Sequence, residues 1–260
     1  VKSLKKNQLN LKEIIENIAD EPSLHLVFKD KNLLKSFNEN HNKTTDLSAF
    51  IINRKKIKDL ESYEKGHWWV QDLSSMLPIY LSPEIKFKKV LDMCAAPGGK
   101  SFQIISLNNE VTLNDVSIKR SEILKTNLKR LNFNNDIKNF VIDDALDSNL
   151  NKKYDIIIDR GLIHNLFHLK KKRHKYFEMI GNITHDESYI LLKVLSPYEA
   201  RFNPSTHSGP YRFSENQLTE FFSVFNFKCI KLTDTHFYSN IQPHLRGYFG
   251  VYKKEGKING

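Results

Sequence analysis

The chain has 260 residues, 40% of them apolar and 27% charged, with a formal net charge of +10. That size fits one large domain with at most a small appendage, and the apolar share excludes a disordered chain. No stretch approaches the roughly 18 apolar residues of a membrane span, and two cysteines, Cys94 and Cys229, exclude a disulfide framework or a thiolate zinc site.

Residues 1–65 are lysine-rich with short mixed patterns. Leu9–Ile18 predicts a helix with Leu11, Ile14, Ile15 and Ile18 on one face, and Ser48–Ile52 a short strand. This stretch reads as a small accessory unit, residues 66–253 as the main domain and 254–260 as a tail. No leader pattern opens the chain, which starts at Val1 rather than Met, as a fragment or processed chain would. The expectation is a soluble, cytoplasmic protein with neither membrane nor metal partners.

From Lys89 the pattern regularises. Strands are expected at Lys89–Met93, Glu110–Leu113, Phe140–Ile142, Asp155–Ile158 and Tyr189–Val194, with helices through Leu107, over Ile118–Leu131 and near Lys170–Ile180. A helix at Glu215–Phe225 and strands near Phe227–Leu232 and Gly247–Tyr252 complete the chain. Apolar strands alternating with helices predict a doubly wound α/β fold with a mostly parallel sheet. The last two strands are joined by a loop alone, which predicts an antiparallel hairpin at one edge.

In such folds ligands sit at the carboxyl ends of the strands. The first loop there reads Asp92-Met93-Cys94-Ala95-Ala96-Pro97-Gly98-Gly99-Lys100. Its small residues and glycines allow close approach of the backbone to a ligand. It is neither a phosphate loop nor GxGxxG. Acids follow three further strands: Asp115, placed for ribose hydroxyls, Asp144, placed for an adenine amino group, and Asp159, nearest the reacting end. Acids commonly end strands as turn or cap residues, but four in register with a glycine loop point to a ligand.

The Asp92–Lys100 motif resembles the S-adenosylmethionine loop of the RsmB/Sun family of ribosomal RNA cytosine-C5 methyltransferases. The likeness extends back to Trp68-Trp69-Val70-Gln71-Asp72-Leu73-Ser74-Ser75-Met76. It runs forward through Asp115-Val116-Ser117 and Arg120 to Asn127-Leu128-Lys129-Arg130-Leu131. It covers residues 60–160 well and 1–60 loosely, where the family has a small RNA-binding subdomain. It implies a class I, Rossmann-like, seven-stranded methyltransferase fold and S-adenosyl-L-methionine as cofactor. The implied cofactor positions are Asp92, Cys94, Ala95, Ala96, Pro97, Gly98, Gly99, Lys100, Asp115, Arg120, Asp144 and Asp159. It also implies RNA as substrate and a place in rRNA processing.

The likeness breaks at the chemistry. The family adds a cysteine thiolate to cytosine C6, with a second cysteine assisting release. Where it has Asp-Ala-Pro-Cys-Ser this chain has Asp159-Arg160-Gly161-Leu162-Ile163, and where it has Thr-Cys-Ser this chain has Leu195-Ser196-Pro197. Cysteine-dependent C5 methylation is therefore not expected. Over residues 154–252 the features Asp159-Arg160-Gly161, Val194-Leu195-Ser196 and His207-Ser208-Gly209-Pro210-Tyr211 resemble thiopurine methyltransferase. That likeness makes a small-molecule N-, O- or S-methyltransferase the alternative, and an inactive RNA-binding homologue is a third reading.

The candidate catalytic residues are Asp159, Arg160, as a holder of an anionic substrate, and His164, as a base or a structural imidazole. Phe202–Pro210, with His207, is a candidate lid. Trp68 and Trp69 are candidates for stacking on bases or for anchoring against the sheet. Residues 1–65 carry 13 basic and 10 acidic groups, residues 66–150 carry 10 and 10, and residues 151–260 carry 17 and 10. The charge excess thus avoids the cofactor-binding third and concerns the substrate or the solvent. The run Lys170-Lys171-Lys172-Arg173-His174-Lys175 reads either as a phosphate contact or as an exposed helix face.

Overall fold

The apolar residues of the central strands alternate between two cores, as a period of two requires. Val90, Ile156, Ile158 and Leu191 face one cluster, and Leu91, Ile157, Ile190 and Leu192 the other. Both faces of the sheet are therefore covered. Each such fully buried side chain contributes about 1.5–3 kcal/mol. The computed structural model describes residues 24–52, 55–82, 88–133, 137–147, 150, 152–199, 210–237 and 245–256. The helix expected at Leu9–Ile18 and residues 202–209, with His207, lie outside them.

The strands are β1 (His25–Phe28), β2 (His41–Thr45), β3 (Ser48–Ile51), β4 (Trp68–Val70), β5 (Lys89–Asp92), β6 (Glu110–Asn114), β7 (Ile137–Val141), β8 (Tyr154–Arg160), β9 (Thr184–Leu195), β10 (Phe227–Phe237) and β11 (Leu245–Lys254). The helices are α1 (Lys31–Lys35), α2 (Leu73–Tyr80), α3 (Gly99–Ile105), α4 (Ile118–Arg130), α5 (Leu162–Leu166), α6 (Lys170–Ile183) and α7 (Glu215–Ser223). Two sheets result, one of four strands in the order β2-β3-β1-β4 and one of seven in the order β10-β11-β9-β8-β5-β6-β7. In the larger sheet β7, β6, β5, β8 and β9 are parallel, and β11 runs antiparallel to both β9 and β10. This is the class I methyltransferase order. The chain winds outward from β5 to β7 and then returns to β8 on the other side, so the switch point lies between β5 and β8.

The expected antiparallel hairpin is β10–β11 and forms one edge of the sheet, with β11 inserted between β10 and β9. The small antiparallel sheet runs on past residue 65 to include β4. Successive strand residues face opposite ways, so Trp68 enters the core of the small sheet and Trp69 that of the large one. The small sheet is also pinned to the end of α4. Arg130 donates to the carbonyls of Tyr63 at 2.8 Å and Trp68 at 3.1 Å, and Lys29 donates to the Leu131 carbonyl.

Helix starts follow local chemistry. Ser117 caps α4, Ser214 forms a capping box with Gln217 on α7, and Asp72 caps α2 by accepting the Ser75 amide at 3.1 Å. Pro78 lies inside α2 and has no N–H for the carbonyl four residues earlier, that of Ser74. No helix among the described residues is long and apolar enough to cross a membrane.

Candidate active site

The loop after β5 is braced from within. Ser101 donates its hydroxyl to Asp92 Oδ2 at 2.8 Å, and Asp115 Oδ2 accepts the Ala96 amide at 3.0 Å. Asp115 Oδ1 takes the Ser117 amide and the Arg120 guanidinium, each at 2.9 Å. Asp115 is only 1% exposed, so its carboxylate ties the loop to the end of β6 and to the start of α4. Burial pushes the Asp92 carboxyl above its ordinary range and the Lys100 ammonium below its own, while each one's charge favours the charged form of the other. The Ala96–Pro97 peptide is cis, and Gly98 has φ +121°, a conformation L side chains rarely adopt. A Cβ at Gly98 would also lie 2.0 Å from the Phe102 ring.

Two acceptors beside this loop have no donor among the described residues. Asn114 ends β6 and is buried. Its amide nitrogen reaches the carbonyls of Met93 and Asp143, each at 3.3 Å, and its Oδ1 is unpartnered. Asp144 Oδ1 accepts the Leu146 amide at 3.0 Å, leaving Oδ2 open. Adenosine offers hydroxyl and amino donors, and this acceptor pair fits them.

At the end of β8, Asp159 is fully buried. It accepts the Leu162 amide at 2.7 Å, the Ile163 amide at 3.1 Å and the Tyr176 hydroxyl at 2.8 Å. It therefore caps α5. Burial pushes its carboxyl up to about 6 against those hydrogen bonds. All four strand-end acids thus serve local turns or caps as well, Asp92 through the Cys94 backbone and the others through the amides of Ser117, Leu146 and Leu162.

His164, on α5, is 7% exposed, and its Nδ1 accepts the Leu195 amide at 3.3 Å. Burial, reinforced by the Arg160 charge, pushes the imidazole down to about 4. The neutral ring carries its proton on Nε2 and so presents a donor rather than a base. Arg160 is exposed, with its guanidinium 5.7 Å from the Phe237 ring centroid.

One residue here was not singled out from the sequence. Lys193, 3% exposed in β9, donates to the carbonyls of Ser74 at 3.3 Å and His236 at 3.0 Å, and lies 3.4 Å from the Ser74 hydroxyl. The Ser74 carbonyl is the one that Pro78 leaves without a helical donor. Burial, with the charges of Arg160 and Lys100, pushes Lys193 down to about 7. The available signal was a lone lysine in the apolar run Leu191-Leu192-Lys193-Val194-Leu195.

Other candidates resolve simply. Trp68 and Trp69 are anchors, 0% and 2% exposed, donating to Glu61 O and Gln71 Oε1, each at 2.8 Å. Stacking on bases is therefore closed to both. The Lys170–Lys175 run is largely a solvated face of α6, with Lys175 paired to Asp147 and Arg173 set 4.8 Å from the Phe167 centroid. Burial, with the surrounding carboxylates, pushes the Cys94 thiol up to about 12. Cys229 stands on the edge strand β10, four strands across the sheet from β5 and its loop. No group of three potential metal ligands occurs among the described residues.

Residues 78–164 match the profile of a family described as 16S rRNA methyltransferase RsmB/F. Ribosomal RNA small subunit methyltransferase B of Photorhabdus laumondii is 38% identical over 90 residues, which are 34% of this chain and 21% of that protein. A 28S rRNA (cytosine-C(5))-methyltransferase of Mus musculus is 41% identical over 78 residues, 29% of this chain and 10% of that one. The chain thus spans about a fifth or less of the length of these relatives. Among solved structures, a methyltransferase homologue from Pyrococcus horikoshii superposes with a TM-score of 0.67 at 16% identity, covering 93% of this chain and 90% of that one. A Burkholderia thailandensis 1,6-didemethyltoxoflavin-N1-methyltransferase, solved with S-adenosylhomocysteine, gives 0.56 at 15% identity, over 71% and 80%. The fold is that of the class I methyltransferases, and its first half is similar to the RsmB/F and Sun-type rRNA enzymes.

Proposed function

We propose that the chain transfers a methyl group from S-adenosyl-L-methionine to RNA, by direct displacement rather than through a cysteine adduct. The observation that carries this reading is the RsmB/F profile match, which falls on the glycine loop at the switch point of a class I sheet. Bound there, the cofactor supplies a methyl group already activated by its sulfonium, so transfer depends on positioning. The loop 94–100 forms one wall, with Asp92 behind it and with Asp115 and Arg120 holding it in shape. Asn114 and Asp144 accept hydrogen bonds from the adenosine. Asp159, through its cap on α5, fixes where Arg160 and His164 stand on the acceptor side.

Cytosine C5 needs covalent activation, and neither cysteine can provide it: Cys94 holds its proton and Cys229 lies on the edge strand β10, four strands from β5. The acceptor is therefore an RNA nitrogen or oxygen. The likeness of residues 154–252 to thiopurine methyltransferase concerns the same cofactor chemistry with a low-mass acceptor. Calorimetry with S-adenosylhomocysteine, followed by incubation of labelled cofactor with fractionated cell extract, tests the proposal. Saturable binding and label in RNA are expected. No binding would overturn the methyltransferase reading, and label in low-mass thiols or amines would overturn RNA as the acceptor. Binding without any transfer would leave an RNA-binding homologue.

A further inference from the structure

The strand ends that carry no cysteine carry a pair of cations. Arg160 closes β8 and Lys193 lies in β9, and the parallel register sets the two directly beside each other. Neighbouring like charges repel, and the protein does little to relieve them. Lys193 spends its donors on neutral oxygens of Ser74 and His236. Arg160 has neither a hydrogen bond nor an ion pair among the described residues. The field of Asp72 reaches both and that of Asp92 reaches Arg160, but Asp72 already caps α2 and Asp92 already accepts the Ser101 hydroxyl. Lys100 is a third cation whose charge acts on this pair.

The pair also has an aromatic floor. Lys193 Nζ stands 4.6 Å and Arg160 Cζ 5.7 Å from the Phe237 ring centroid. Phe237 can lie across β11 because Gly247 has no side chain, since a Cβ there would fall 2.5 Å from the ring. The result is a guanidinium whose fork of N–H donors has no partner among the described residues, set over an aromatic ring and backed by a buried lysine. A planar fork of this kind matches the oxygens of a phosphate.

We propose that Arg160, backed by Lys193 over Phe237, grips the phosphodiester next to the nucleotide that is methylated. This rests on the reading of this strand end as the acceptor side of an RNA methyltransferase. Arg160 is a binding residue, and Lys193 is a positioning residue that adds charge without spare donors.

The test uses the full chain and a fluorescein-labelled single-stranded RNA of about 12 nucleotides, titrated by anisotropy between about 50 and 200 mM salt. R160Q should bind about tenfold more weakly at low salt, with the slope of log K against log salt shallower by about 0.7. R160K, which keeps the charge and loses the fork, should fall between R160Q and the parent chain. K125Q, on α4 beside the far edge strand β7, should change affinity by less than about twofold. S-adenosylhomocysteine binding should be equal in all variants. R160Q binding RNA like the parent with an unchanged slope overturns the proposal, as does an equal loss in K125Q. If the parent chain bound RNA with this dependence on Arg160 but did not bind S-adenosylhomocysteine, the phosphate grip would stand and the methyltransferase reading would fall.

Discussion

On the side of β5 and β6, the carboxylates are matched to donors inside the protein. Asp92 has Ser101, and Asp115 has two backbone amides and a guanidinium. On the side of β8 and β9, Arg160 and Lys193 stand side by side, and the carboxylates whose fields reach them, Asp72 and Asp92, are already taken up by donors of their own. The RsmB/F profile match covers β5 and β6 and runs on through β8 to residue 164, and on the second side the positions that align with the family's two cysteines hold Leu162 and Ser196. A pocket for a constant cofactor can be closed and self-satisfied. A surface for a different acceptor has to leave charge for the acceptor to complete.

Removing a brace should break the first side outright. Asp115→Ala strips partners from the buried Ala96 amide and from Arg120, at a cost of about 4 kcal/mol. S-adenosylhomocysteine binding should be lost in calorimetry and the thermal midpoint lowered. Retained binding would mean that the loop holds its shape without the carboxylate.

The second side should reveal itself through pH. The folded imidazole of His164 is pushed down to about 4 from 6.5, so its contribution is complete above pH 6.5 and fades as pH falls toward 4. Asp159, pushed up to about 6 from 3.8, acts oppositely, adding stability as pH falls from 6 toward 3.8. The two nearly cancel. His164→Gln keeps an acceptor for the Leu195 amide and removes one of them. Between pH 6.5 and 4 the variant should gain about 3 kcal/mol relative to the parent chain, measured by urea unfolding. Parallel stability curves would show that His164 is not held neutral by burial.

The smallest expected effect is the sharpest on mechanism. Cys94→Ala should leave methyl transfer within about twofold, because a thiol that keeps its proton near neutrality is no nucleophile. Loss of activity would restore cysteine chemistry from an unexpected position.

The alternation of strands and helices, the glycine loop and the hairpin were legible in the sequence because each is a local pattern. The roles of the four acids were legible only in part. Asp159 reads as a strand-end acid, but that it caps α5 depends on a left-handed Gly161 and on Tyr176, which arrives from the next helix. Lys193 was illegible for a different reason. Its partners are a carbonyl freed by Pro78 and another in β10, 119 and 43 residues away. No window along the chain contains that arrangement. Gly247 and Phe237 likewise meet only across a strand pair.

The adjacent tryptophans of β4 have a consequence for cooperativity. With Trp68 sealed into one hydrophobic core and Trp69 into the other, a shift of this strand by one residue would exchange their faces and take both indoles out of their fitted packing and away from their hydrogen-bond acceptors at once. The dipeptide therefore acts as a rivet. It locks the small sheet to the large one in a single register, so the two melt as one unit and the small sheet keeps a fixed bearing relative to the strand ends where methyl transfer is proposed.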